Sequence, residues 1–120
     1  MITGDHLETA LKVAIDAEII TEEESKLEGI FLTGTNFRKE IGDYQKVWNA
    51  EKEIYEIIIA DKKRFTNVLK RLRIIARANP DDKMILISGI RQEGGIVAMS
   101  GSNIADGEAL KMANVGLCMN

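Results

Sequence analysis

Apolar positions recur at three- and four-residue spacing through Leu7, Ala10, Leu11, Ala14 and Ala17, which predicts an amphipathic helix early in the chain. Ahead of it, Met1-Ile2-Thr3 reads as the end of a strand, and Gly4-Asp5 as a tight turn. Asp5 is placed to cap the helix, with Glu8 three positions on as its capping-box partner. Thr21 to Glu28 is acidic and reads as a loop with a short helical turn. Ile30 to Thr33 is a strand, and Thr35 to Ile41 a brief helix ended by Gly42. Between residues 43 and 61 the alternation in Glu53-Ile54-Tyr55-Glu56-Ile57-Ile58-Ile59 favours strand, and a hairpin insertion is expected there; a helix is the alternative.

Helical spacing returns at Phe65, Val68, Leu69 and Leu72, followed by a compact strand at Ile74-Ile75-Ala76. Pro80, the only proline, suits the first turn of a helix whose positive end Asp81 and Asp82 complement. That helix is expected to run to about Gln92 and stop at Gly94-Gly95. A strand at Ile96 to Met99, a loop from Ser100 to Gly107, a helix through Ala113 and a strand at Val115 to Met119 complete the chain. Short strands alternating with helices predict an α/β fold, a mostly parallel sheet with helices on its faces. No repeat, low-complexity tract or linker divides residues 1–120, so one domain is expected.

Composition narrows the function. Hydrophobic residues make up 45% and charged residues 29%, as in a globular protein. Lys and Arg total 16 against 19 for Asp and Glu, and that mild acidity argues against nucleic acid as a partner. No apolar run approaches the ~20 residues needed to span a bilayer. The single cysteine, Cys118, excludes an internal disulfide; its apolar neighbours suggest a buried, inert thiol. With no signal-peptide pattern at its start, the chain is expected in a reducing compartment.

Three places carry candidate chemistry. Thr3-Gly4-Asp5 stands between a strand and a helix, where main-chain amides and the Thr3 hydroxyl form an anion cradle. Lys83 lies in the first turns of the Pro80 helix, where the dipole disfavours a cation, and a bound anion nearby is one reason to tolerate it. Met99-Ser100-Gly101-Ser102-Asn103-Ile104-Ala105-Asp106-Gly107 is a small-residue loop at a strand's carboxyl end, suited to face phosphate or metal. Each also reads as an ordinary turn or a solvated lysine.

Taken in order, these residues resemble a known family. Met1-Ile2-Thr3-Gly4-Asp5-His6 with Thr9-Ala10, Ala76-Arg77-Ala78-Asn79-Pro80-Asp81-Asp82-Lys83, and Asp106-Gly107 with Lys111, Ala113, Val115-Gly116 and Met119 are similar to the phosphorylation domain of P-type ion-pumping ATPases. Leu27-Glu28-Gly29 and Phe37-Arg38 point to the calcium-pump branch. The resemblance implies a haloacid-dehalogenase-like, Rossmann-like sheet and chemistry through an aspartyl-phosphate with magnesium. It assigns phosphoryl binding to Thr3 and Gly4, fixing of the loop to Asp5, pairing with phosphate to Lys83, and the magnesium loop's second acidic residue to Asp106.

Two departures stand against activity. The family nucleophile lies in an Asp-Lys-Thr-Gly-Thr motif, which this sequence does not contain; Leu32-Thr33-Gly34-Thr35 imitates its tail, but Phe31 takes the nucleophile's place. The family's magnesium loop reads Thr-Gly-Asp-Gly-x-Asn-Asp, whereas here Ser102 replaces the first carboxylate, Ala105 the asparagine, and Glu108 the proline that follows. A serine hydroxyl can bind magnesium but brings no negative charge. The expectation is a partial domain lacking its nucleophile strand: a catalytically silent fragment or pseudoenzyme of a calcium pump, with magnesium weak or absent and no turnover alone. The alternative is a non-catalytic interaction module that docks on a full-length pump or another partner through its incomplete sheet. Separately, the unpaired strand edges lead one to expect low stability, self-association or completion by another chain. A phosphatase of the same fold lacks the Asp-x-Asp it would need. The expected setting is the cytoplasm, with membrane association only through a pump.

Overall fold

A computed structural model describes residues 1–119. The chain divides into two compact units, Met1–Gly42 with Asp61–Asn79, and Asp43–Ala60 with Pro80–Asn120.

In the first unit, α1 (Leu7–Asp16) buries Ala10 and Ala14. Alanines on the inward stripe bring the helix backbone close to the strand residues Ile74 and Ala76, which share a core with Ile20 and Ile30. Strand β1 (Phe31–Thr33) pairs in parallel with β4 (Ile74–Ala76), Leu32 opposite Ile75. The segment Met1–Thr3 flanks the other side of β4 but forms only one bridge, Ile2 to Ile75. Helices α2 (Gly34–Ile41) and α3 (Lys62–Arg71) contribute the buried Phe37, Ile41 and Phe65. Thr33 caps α2 by accepting the Asn36 amide, Asp61 caps α3 by accepting the Arg64 amide, and Gly42 ends α2 at φ +81°.

In the second unit, β2 (Tyr44–Asn49) and β3 (Ile54–Ile59) form the expected hairpin, antiparallel with Trp48 opposite Tyr55. The Trp48 and Tyr55 rings meet edge-on at 4.9 Å, and the Lys46 ammonium sits 4.6 Å from the Tyr55 ring centre. Ile57 and Ile59 face inward, and the core adds Met84, Ile85 and Ile87 of α4 (Pro80–Gln92) with Ala109 and Met112 of α5 (Gly107–Met112). The end of α4 closes with two 2.9–3.0 Å bonds, Gly95 amide to Ile90 carbonyl and Gly94 amide to Arg91 carbonyl, with Gly94 at φ +89°. Strand β5 (Ala98–Gly101) pairs in parallel with β6 (Val115–Cys118).

The α/β class and the parallel pairings agree with the sequence reading, but the described strands form three separate two-stranded sheets rather than one. Three local expectations are corrected. Helix α1 starts at Leu7 with His6 at its cap position and no side-chain cap bond, so Asp5 and Glu8 form no capping box. Strand β5 lies two residues later than expected, with Ser100 and Gly101 inside it. The reason is the pairing with β6, which aligns Ala98 with Val115 and Gly101 with Cys118 while Asn114 holds Val97 from outside the strand. Cys118 is exposed, because β6 is solvent-facing along its whole length and its apolar sequence is not matched by a covering layer among the described residues. Among the described residues no helix is long and apolar enough to cross a membrane.

Candidate functional site

The sequence-designated residues fall in two places, one in each unit. In the first, Thr3-Gly4-Asp5 is locked to the end of β4. The Thr3 amide donates to the Ile75 carbonyl, the Ala78 amide to the Thr3 carbonyl, and the Arg77 amide to the Asp5 carbonyl, each at 2.9 Å. The Asp5 amide donates to the Thr3 hydroxyl at 3.2 Å. That amide, one of those an anion cradle would need, is therefore already satisfied within the turn. The same internal bonding explains why Asp5 does not serve as a helix cap.

Opposite this turn sits a residue the pattern reading did not single out. Arg77 adopts φ +49°, a left-handed conformation uncommon for a side-chain-bearing residue, and its guanidinium contacts His6 Nδ1. The pair is 71 positions apart in sequence, so no local spacing could reveal it.

In the second unit, Lys83 and Asp106 meet. The Lys83 ammonium donates to Asp106 Oδ1 at 2.6 Å, with both side chains largely buried. Burial alone would raise the Asp106 pKa; the hydrogen bond from Lys83 outweighs it, and the net shift is downward, aided by the Lys83 charge and by the amides of Asn103 and Ser102. The sequence suggests a bound anion beside this cation in the first turns of α4; the group that the structure places there is a carboxylate of the same chain.

Local geometry brings Asp106 to this position. A short 3-10 turn, Ile104–Asp106, leads directly into α5 and turns the carboxylate inward while Ile104 is fully exposed. Gly101 leaves the necessary space: a Cβ there would lie 2.9 Å from Asp106 Cβ and 3.1 Å from Oδ2. Ser102 is exposed. Glu108, where the family has proline, places Oε2 in a buried position without a hydrogen-bond partner among the described residues, while Oε1 lies 3.6 Å from Lys111. Asp81 is paired with Lys46 at 3.1 Å, tying the hairpin to the start of α4.

These residues by themselves do not fit magnesium. A divalent cation requires several oxygen ligands, most of them charged or strongly polar. Here one carboxylate is offered, and its Oδ1 already accepts an ammonium proton. Among the described residues, no group of three or more His, Cys, Asp or Glu side chains could hold a metal ion.

Comparison with known proteins places the whole stretch. Calcium-transporting ATPase 2 of Schizosaccharomyces pombe is 34% identical over 119 residues, which cover 99% of this chain and 7% of that protein. Calcium-transporting ATPase 2 of Saccharomyces cerevisiae is 30% identical over the same length, 8% of its own. The plasma membrane-type calcium-transporting ATPase 9 of Arabidopsis thaliana is 29% identical, again over 99% of this chain and 9% of its own. No family model matches the chain. The chain thus spans less than a tenth of the length of these relatives. Matches at 29–34% identity that run through nearly all of its residues make the chain a fragment homologous to the calcium-transporting ATPases.

Proposed function

We propose that this chain is a degenerate piece of a calcium-pump phosphorylation domain, which keeps remnants of phosphate-binding elements and has no ATP-hydrolysing activity of its own. The observation that carries the reading is the Lys83–Asp106 ion pair at 2.6 Å beside an exposed serine at position 102. Lys83, which the family resemblance assigns to phosphate, has its charge compensated internally. The loop assigned to magnesium retains one carboxylate, Asp106. No aspartate of this sequence stands in an Asp-Lys-Thr-Gly-Thr setting that could form an aspartyl-phosphate. Any role in ion transport therefore belongs to a larger pump assembly.

Titration calorimetry with magnesium chloride tests the metal half of the proposal. The full chain gives no saturable heat in the low-millimolar range, whereas Ser102→Asp gains measurable affinity by supplying a second carboxylate. Saturable binding to the native chain that Asp106→Asn abolishes contradicts the proposal.

A second reading, an interaction module, draws on the exposed β5–β6 pair. Val115 and Leu117 on β6 remain about half exposed, at 50% and 54%, although β-strand residues of this kind usually pack against a covering layer. On this reading, another strand or another chain covers them. Recovery of no pump subunit in a pull-down from membranes, together with monomeric sedimentation, removes it.

A further inference from the structure

The first unit carries a charge separation that the overall balance hides. Segment 62–73 holds Lys62, Lys63, Arg64, Lys70, Arg71 and Arg73 without a single carboxylate. Segment 16–28 holds Asp16, Glu18, Glu22, Glu23, Glu24 and Glu28 against one cation, Lys26. The two meet at a cleft of about 940 Å³. Its α3 wall is basic, with Lys63, Arg64, Lys70 and Arg71; Leu32 and Val68 add apolar surface, and the carboxylates Glu28, Glu40 and Asp61 also line it.

Both surfaces are built in advance. Arg64 is fixed by the carbonyls of Lys39 and Glu40 at the end of α2, which anchors the basic helix. The acidic loop is closed by reciprocal 3.1 Å bonds, Thr21 amide to Glu24 and Glu24 amide to the Thr21 hydroxyl. Glu22 and Glu23 are left on its exposed side, and Leu27 projects from it with 57% of its surface in solvent. No ion pair within 4.0 Å joins Lys63, Lys70 or Arg71 to a carboxylate among the described residues.

From this arrangement we infer that the cleft receives the acidic loop of a second copy of the chain, with Leu27 entering against Leu32 and Val68, and Glu22 and Glu23 meeting the α3 cations. A twofold contact requires one patch that is complementary to itself. An acidic, leucine-bearing loop adjoining a partly apolar cleft with a cationic α3 wall meets that requirement: each copy donates its loop to the α3 side of the other's cleft and receives the other's loop. The contact goes beyond the sheet-edge docking considered above and uses a different surface.

Sedimentation equilibrium of the full chain provides the test. A dimer forms at low salt, and its Kd rises at least ~10-fold between about 50 mM and about 500 mM sodium chloride, as an interface of surface charges requires. Lys70→Glu/Arg71→Glu and Glu22→Lys/Glu23→Lys each raise the Kd by at least ~10-fold, and mixing the two restores a heterodimer, because reversed cleft then meets reversed loop. Three results overturn the inference: a native chain that stays monomeric at low salt, a dimer indifferent to salt and to both charge reversals, or folded variants that fail to pair when mixed. A salt-indifferent dimer lost instead on Leu117→Lys supports the β5–β6 edge and overturns the cleft. A monomer that binds phosphatidylserine vesicles through Lys70 and Arg71 assigns the basic face to a membrane and equally overturns it.

Discussion

Lys83 and Asp106 satisfy each other's charge across 23 residues of sequence, with Nζ 2.6 Å from Oδ1 and little access to water. A lysine near a helix N-terminus opposes the helix dipole, and a buried carboxylate is costly unless paired. Each residue resolves the other's difficulty. The same contact joins α4 to the loop that resembles a magnesium site, so it is a structural tie where the family resemblance leads one to look for catalysis.

Removing one partner of this pair strands the other in a poorly hydrated setting. Asp106→Asn should destabilise the chain by roughly 2–4 kcal/mol, read from urea unfolding midpoints, with Lys83→Met partly rescuing the double variant. Independent, additive losses in the double-mutant cycle would show that the two groups do not interact.

The pair also sets a direction for pH dependence. Folding lowers the Asp106 pKa below its ordinary value of 3.8, through the Lys83 hydrogen bond first. Its stabilisation is therefore complete above that ordinary value and is lost as pH falls through the lower folded-state value. The stability gap between the native chain and Asp106→Asn should be constant from about pH 7 to 5 and close on further acidification. A gap that closes as pH is raised contradicts the assignment.

Glycines at two close approaches are needed for space. A Cβ at Gly116 would lie 2.7 Å from the Leu110 carbonyl oxygen, a main-chain atom that can move little, and a Cβ at Gly101 would press on Asp106 at 2.9 Å. Gly116→Ala and Gly101→Ala should each cost about 1–3 kcal/mol, with a visible drop in Tm. Gly107→Ala, which would meet nothing within 4 Å, serves as the control and should leave the Tm nearly unchanged.

Cys118 lies on the exposed strand β6. A folded chain should react with a thiol reagent at a rate within ~10-fold of the urea-unfolded chain, since exposure governs access. Protection by several orders of magnitude would mean that β6 is covered, by another copy or by a partner.

Much of this architecture is legible along the chain because its signals are local. Pro80 marks the start of α4, Gly42 and Gly94 take the left-handed conformations that end two helices, and the inward Ala10 and Ala14 follow a four-residue spacing. What could not be read depends on partners distant in sequence. The start of α1 shifted because Asp5 is held by Thr3 and Arg77. The register of β5 depends on Asn114 and β6, and the exposure of Cys118 on which surfaces surround it. At the candidate site, the positions of Lys83 and Asp106 stood out by motif, but their direct pairing emerges only when the 3-10 turn and Gly101 bring the carboxylate inward. The charge-separated face of the first unit was hidden by a near-balanced total.

Magnesium-dependent phosphate release from ATP and from acetyl phosphate tests most directly the proposal that this chain has no phosphoryl-transfer activity of its own. The full chain should give the same rate as Lys83→Ala, both at the level of buffer. Release by the native chain clearly above that of the variant, dependent on magnesium, would contradict the account.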